Sequence, residues 1–119
     1  MRSKYGNRKV KRGGIVFDSK HEADRWNELK LLEKAGEISN LRRQVKYVLI
    51  PTQYSDTEKT KEGKPRVVEK KATYIADFVY HNNMFDMEVV EDAKGMKTEA
   101  YVLKRKLMLH VHGIRVLEV

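Results

Sequence analysis

The stretch Met87-Glu88-Val89-Val90-Glu91-Asp92-Ala93-Lys94-Gly95 decides the fold. Its first seven residues read as a strand, Met87 to Ala93, and Gly95 stops it. Three residues later Thr98 can cap a helix. Ala100, Leu103, Leu107 and Val111 recur on one face of that helix, and Gly113 ends it. Ile114 to Val119 then reads as a last strand. Strand, helix and strand at these lengths form a crossover unit, so the two strands should be parallel neighbours joined with right-handed connectivity. Working backwards, His81-Asn82-Asn83 is a turn. Arg66 to Tyr80 contains a strand, clearest from Ala72 to Tyr80, and Leu41 to Ile50 contains another, ended by Pro51. Between those two, residues 52–65 hold the turn signals Ser55-Asp56-Thr57 and Gly63-Lys64-Pro65 and read as a loop or the tip of a long hairpin. Ahead of all these strands Ser19 opens a helix, with Glu22 three residues on as a capping box wants. It runs to about Ala35, stops at Gly36, and carries the ridge Trp26, Leu29 and Leu32. Gly14 to Phe17 is a possible edge strand. The order is αβββαβ, an α/β chain with a mixed sheet flanked by helices.

Length and charge bound the rest. At 119 residues there is room for one domain, placed at 14–119 behind a basic arm at 1–13. The arm holds Arg2, Lys4, Arg8, Lys9, Lys11 and Arg12 and no acid, a composition that tracks phosphates without reading sequence. The whole chain sets 25 basic against 17 acidic residues, a net charge of +8. A soluble chain this basic usually meets a polyanion, and nucleic acid is the default partner. The absence of cysteine excludes a disulfide scaffold, thiolate zinc sites and cysteine nucleophiles, and fits a reducing compartment such as the cytoplasm. The longest apolar stretch, Tyr47 to Pro51, is too short to cross a bilayer, so no membrane is expected. Met1 to Tyr5 has no apolar region of the kind a secretory signal needs.

The chemistry concentrates in three places. Asp77 stands inside Tyr74-Ile75-Ala76-Asp77-Phe78-Val79-Tyr80, an apolar strand in which a lone acid is costly to bury. Asp92 and Lys94 point to one face because strand side chains alternate, and they lie at the C-terminal end of their strand, where α/β sheets place ligand sites. Glu22 shares a helix stripe with Trp26 and Leu29, so its carboxylate heads a core-facing ridge. Two carboxylates on adjacent strands, a third from a helix and a neighbouring lysine make a site for a hard cation. Mg²⁺ suits a few carboxylate oxygens, with Mn²⁺ as its substitute. Beside a phosphate it would polarise the phosphoryl group and help generate hydroxide. Lys94 would stabilise developing negative charge, or orient and deprotonate water.

These residues carry a resemblance. Asp77 on one strand and Asp92-Ala93-Lys94 on the next, in the αβββαβ order, look like the PD-(D/E)XK nuclease superfamily with its restriction-endonuclease-like core. Glu22 matches the extra acid that many members carry on the preceding helix. Phe17-Asp18-Ser19-Lys20-His21-Glu22-Ala23, Tyr74-Ile75-Ala76-Asp77-Phe78 and Val90-Glu91-Asp92-Ala93-Lys94-Gly95 together resemble a group of short phage- and prophage-encoded proteins. That group was long known only as a domain of unknown function and is similar to phage endonucleases and junction resolvases. The position before Asp77 departs from the superfamily motif, being Ala76 rather than proline. The resemblance implies that Asp77, Asp92 and the Ala93 carbonyl hold the metal, that Glu22 completes the site, and that Lys94 is catalytic.

Each residue has a plainer reading. Glu22 can be a capping acid only, Asp77 a satisfied structural acid, and Asp92 with Lys94 a surface ion pair. Glu91 faces away from Asp92, so a ligand role there needs a bulge. Lys97, Lys104 and Arg105 gather on the second helix as a DNA-facing stripe or a solvated face. Gln44 either faces the site or is a polar residue on a half-exposed strand. His110 and His112 diverge and do not suggest a metal site. The expectation is a Mg²⁺-dependent DNA endonuclease of phage type acting in the host cytoplasm. With little protein to spare for base readout, it should select branched DNA such as Holliday junctions, as a homodimer making two symmetric cuts. A less selective DNA-processing nuclease and a non-catalytic basic DNA-binding module are the alternatives.

Overall fold

The computed structural model describes residues 8–119. Its centre is a four-stranded mixed sheet in the order β3-β6-β7-β8, made of Ile38–Ile50, Ala72–Asn82, Met87–Asp92 and Leu117–Glu118. β6 runs antiparallel to both of its neighbours, β3 and β7. β8 lies parallel to β7, with Glu91 opposite Leu117 and Asp92 opposite Glu118. Helices α1, Lys20–Lys34, and α2, Glu99–His112, flank the sheet. Two short ribbons complete the described residues, β1 (Val10–Arg12) with β2 (Ile15–Phe17) and β4 (Gln53–Lys59) with β5 (Pro65–Glu69). Without the ribbons the order is αβββαβ, as expected, and consistent with a restriction-endonuclease-like core.

Local chemistry sets the helix ends. The Glu22 N–H donates to the Ser19 hydroxyl (3.1 Å), and the Tyr101 N–H donates to the Thr98 hydroxyl (3.1 Å). Gly113 ends α2 at φ 66°, a left-handed conformation that costs glycine little.

The two helices cover opposite faces. On the α2 side, Leu49, Tyr74, Ala76, Val79 and Val90 pack with Tyr101 and Met108; on the α1 side, Leu29, Ile38, Phe78, Tyr80 and Ala93 pack together, with Trp26 stacked on Phe78 at 5.9 Å. Along β6, Tyr74 and Ala76 face α2 but Phe78 and Tyr80 face α1, so the pleat changes face at Asp77. β3 makes the same change: Leu41 packs on the α1 side and Val45 and Tyr47 on the α2 side. Between them Gln44 has φ 53°, and the strand pairing passes from Arg43–Phe78 to Val45–Ala76 without it. A left-handed residue within a strand reverses its side-chain alternation, and a non-glycine residue adopts that conformation only at a cost of about 1–2 kcal/mol.

Several expectations are corrected. Residues 1–7 of the expected basic arm lie outside the described residues. Its remainder is not an arm, because Val10–Arg12 pairs with Ile15–Phe17 and the Arg12 guanidinium binds Asp24 (2.5 Å). Of the two readings of residues 52–65 the hairpin is the one observed, since they form most of the β4–β5 ribbon; the Arg66–Tyr80 segment is what changes, dividing into two strands. β3 begins at Ile38 rather than Leu41, and β6 runs on through His81 and Asn82. The turn falls after Asn82, whose side chain accepts from the Met84 and Phe85 N–H groups (3.0 and 3.1 Å). The last strand is only Leu117–Glu118. The buried face of α2 is also rotated: Tyr101 and Met108 are buried, while Ala100, Leu103 and Val111 are exposed. Burying an aromatic ring whose hydroxyl finds a partner in Glu118 (2.9 Å) outweighs covering the smaller aliphatic row.

Candidate active site

The reversal of the pleat at Asp77 turns its carboxylate inward among the neighbouring elements. The Ala93 N–H donates to Asp77 Oδ2 (2.9 Å), and the Gln44 amide donates to Oδ1 (3.3 Å). One strand over, Asp92 is fully buried. The Tyr74 hydroxyl donates to its Oδ2 (2.5 Å), whereas Oδ1 is buried with no hydrogen-bond donor. The Lys94 ammonium stands 3.8 Å from that oxygen, close enough for attraction but beyond a hydrogen bond, and 5.4 Å from the Tyr101 ring centre. Glu22 enters from the first turn of α1, only 3% exposed. Among the described residues its carboxylate makes no return bond to the Ser19 N–H. It faces Arg43 instead, with an N–O distance of 3.5 Å. The Ser19 cap is therefore half of a capping box, and the acid is committed elsewhere. The Arg43 guanidinium lies 4.6 Å from the Phe17 ring centre and 5.7 Å from that of Trp26, and its Nε has no partner.

Electrostatics ties the acids into one group. Removal from water pushes the Glu22 carboxyl up to about 7, and the charges of Asp77 and Asp18 add to this against the pull of Arg43. Asp92 is also pushed up to about 7, first by burial and then by Asp77, against the Tyr74 hydroxyl and Lys94. Asp77 thus repels both other carboxylates, and the structure brings Glu22, Asp77, Asp92 and Lys94 together. As the side chains stand, no three acids or histidines among the described residues are close enough to ligate one ion jointly. The donor chemistry nevertheless fits a hard cation. The available atoms are carboxylate oxygens, Asp92 Oδ1 lacks any donor, and a positive charge would relieve the repulsion that raises Glu22 and Asp92.

The other candidates separate cleanly. Glu91 faces away from Asp92, fully buried. It takes two bonds from Arg25, Nε to Oε1 (2.8 Å) and NH2 to Oε2 (2.7 Å), and a third from the Tyr80 hydroxyl, so it is a structural ion pair. Lys97 and Arg105 are not a free stripe, since both reach Glu118, at 3.4 and 3.2 Å. Lys104 is exposed. Among the expected arm residues Arg8, Lys9 and Lys11 are exposed, Lys9 lies 3.9 Å from Asp18, and Arg12 is held by Asp24. His112 contacts the Val48 carbonyl oxygen through Nε2 (2.7 Å). Arg43 and Tyr74 escaped sequence reasoning. The signal for Arg43 was a basic pair, Arg42-Arg43, in a strand that also carries Val45, Tyr47, Val48 and Leu49. Tyr74 is one of six tyrosines that read as core or rim residues with some base-stacking contacts among them, and nothing in the sequence singles it out as the partner of Asp92.

A family model described as "Protein of unknown function (DUF1064)" matches residues 2–116. No curated protein and no solved structure gives a significant match.

Proposed function

The chain belongs to the DUF1064 family, whose description assigns no activity, and from that premise we propose that it is a Mg²⁺-dependent DNA endonuclease of phage type, cutting branched DNA as a homodimer in the host cytoplasm. One observation carries the reading: a fully buried aspartate oxygen, Asp92 Oδ1, without a donor, beside a second carboxylate and a lysine. Buried acids are ordinarily paired, and an orphaned one in a group of like charges is a structural cost that a bound cation would remove. The net charge of +8 supplies the attraction for a polyanion.

Asp77, Asp92, the Ala93 carbonyl and Glu22 are the atoms that would hold the ion. When bound, it would supply positive charge to the scissile phosphate and lower the pKa of a ligated water. The residues of the chain have their own tasks. Gln44 and the Ala93 N–H fix the Asp77 carboxylate in direction, as support around a metal ligand does. The Tyr74 hydroxyl fixes Asp92. Lys94 holds its ammonium where negative charge accumulates as water attacks phosphorus and the P–O bond to the leaving sugar oxygen breaks.

A metal titration tests the proposal. Cleavage that requires Mg²⁺ or Mn²⁺, and that Asp77→Ala abolishes while DNA binding persists, supports an enzyme. Binding with no cleavage in either ion leaves a basic DNA-binding module. Equal rates on four-way junctions and linear duplex at fixed salt remove the junction preference and leave a general nuclease.

A further inference from the structure

The β4–β5 ribbon is not part of the main sheet: its two strands pair with each other and leave the sheet beyond Ile50 and Ala72. All of β5 and all of β4 except Ser55 are exposed. A ribbon that buries nothing is not there for the core, and an unsupported two-stranded hairpin is marginal alone. Its position has a direction. β6 and β7 are antiparallel, so the start of β6, the end of β3 and the end of β7 share one end of the sheet. That is the end where Asp92 and Lys94 stand. Between Asp77 and the ribbon the open sheet face carries Lys46, Val48, Ile50 and Ile75, all exposed. The molecule is long for its size, with a radius of gyration of 17.8 Å and a longest axis of 55 Å. A compact chain of this length would give about 14 Å.

The chemistry of the tip selects a partner. From Lys59 to Arg66 there are four cations, Lys59, Lys61, Lys64 and Arg66, and one acid, Glu62. None of the four lies in an ion pair among the described residues, in contrast to Lys97 and Arg105. We propose that the β4–β5 ribbon is a second DNA-binding element, seated in a groove of the duplex that the carboxylate site cuts, with its tip cations on phosphates. The major groove, about 12 Å wide, admits a two-stranded ribbon. Pro65 lies twelve positions before Asp77, a reach of up to about 40 Å. One helical turn of DNA is about 34 Å, so the tip lands roughly one turn from the scissile phosphate. The substrate assignment rests on the nuclease reading; the binding of DNA by the ribbon does not.

The experiment measures duplex affinity in EDTA, where nothing is cut, across a salt series. The full chain is compared with a variant carrying Lys59→Gln, Lys61→Gln, Lys64→Gln and Arg66→Gln together, changes at exposed positions that leave the fold in place. For every phosphate that the variant no longer neutralises, the slope of log affinity against log salt should flatten by about 0.9. A flattening of about 2–4 in slope is expected, with affinity at low salt falling tenfold or more. Shortening the duplex to less than about one helical turn on the ribbon side should cost the native chain a comparable affinity. Unchanged slope and affinity overturn the inference, as does a native chain that binds no duplex. A variant that shifts from dimer to monomer in sedimentation while its affinity holds also overturns it, because the ribbon is then an arm for a second copy. Cleavage by the native chain in Mg²⁺ is read separately. A flattened slope without any cleavage sinks the nuclease reading and leaves DNA binding by the ribbon standing, and cleavage with an unchanged slope does the reverse.

Discussion

Asp92→Asn should make the ion-free protein more stable at alkaline pH. In the native chain the Asp92 carboxyl is pushed from 3.8 up to about 7, by burial first and by Asp77 second. The folded state therefore holds this proton more tightly than the unfolded state does. Stability from this group is greatest in acid and falls as pH rises from the unfolded value through about 7. Each unit of difference corresponds to about 1.4 kcal/mol. Between about pH 5 and pH 8 the carboxylate alone thus removes about 3 kcal/mol. Asparagine keeps the volume and an oxygen for the Tyr74 hydroxyl but cannot ionise. The stability of the variant relative to the native chain should rise by about 3 kcal/mol from pH 5 to pH 8, or about 10 °C in Tm for a domain of this size. Thermal unfolding followed by circular dichroism in EDTA at the two pH values measures this. Mg²⁺ should return much of the loss to the native chain and little to the variant. If Asp92→Asn is no better relative to the native chain at pH 8 than at pH 5, Asp92 is not a strained, like-charged acid, and the main support for a cation site fails.

Two further substitutions probe the surroundings. Arg25→Ala strips a fully buried Glu91 of its two-pronged partner and should cost about 3–5 kcal/mol in urea unfolding, with much of it recovered by adding Glu91→Gln. Loss below about 1 kcal/mol would mean that the Arg25–Glu91 pair contributes no more than a surface ion pair does. Gln44→Gly relieves a left-handed residue and removes a donor from Asp77, so stability should hold or rise by about 1 kcal/mol while Mg²⁺-dependent cleavage slows. Unaltered cleavage would reduce Gln44 to a device of the backbone.

The legible features were those with local causes. Ser19 and Thr98 announce helices because a hydroxyl at that position answers an N–H two or three residues on, whatever the rest of the chain does. The parallel β7–β8 pair was legible because handedness leaves a strand–helix–strand unit few ways to close. Asp77 stood out because an acid inside an apolar strand has few inexpensive explanations. The ribbon was obscure for the opposite reason: no residue of β5 is buried, so no alternation marks it, and only its turn signals showed. The face of α2 was misread because counting aliphatic residues weighs Leu103 and Val111 above Tyr101, whereas the fold weighs area and hydrogen-bonding partners.

Gln44 shows why the candidate site was only partly readable. Glutamine carries no preference for left-handed backbone, so its φ of 53° is imposed by the sheet on either side. The same reversal turns Asp77 out of the pattern that its neighbours Ala76 and Phe78 set, and so brings it to Ala93 and Asp92. Strict alternation through Asp77 would keep Ala76 and Phe78 on one face, and the packing denies this. The strain and the gathered carboxylates are then one structural fact, held in place by the two cores on either side of it. Neither stabilises the ion-free fold, since one costs backbone energy and the other desolvation and repulsion. The packing on both faces, rather than any preference of Gln44 or Asp77, therefore sets the geometry at this point.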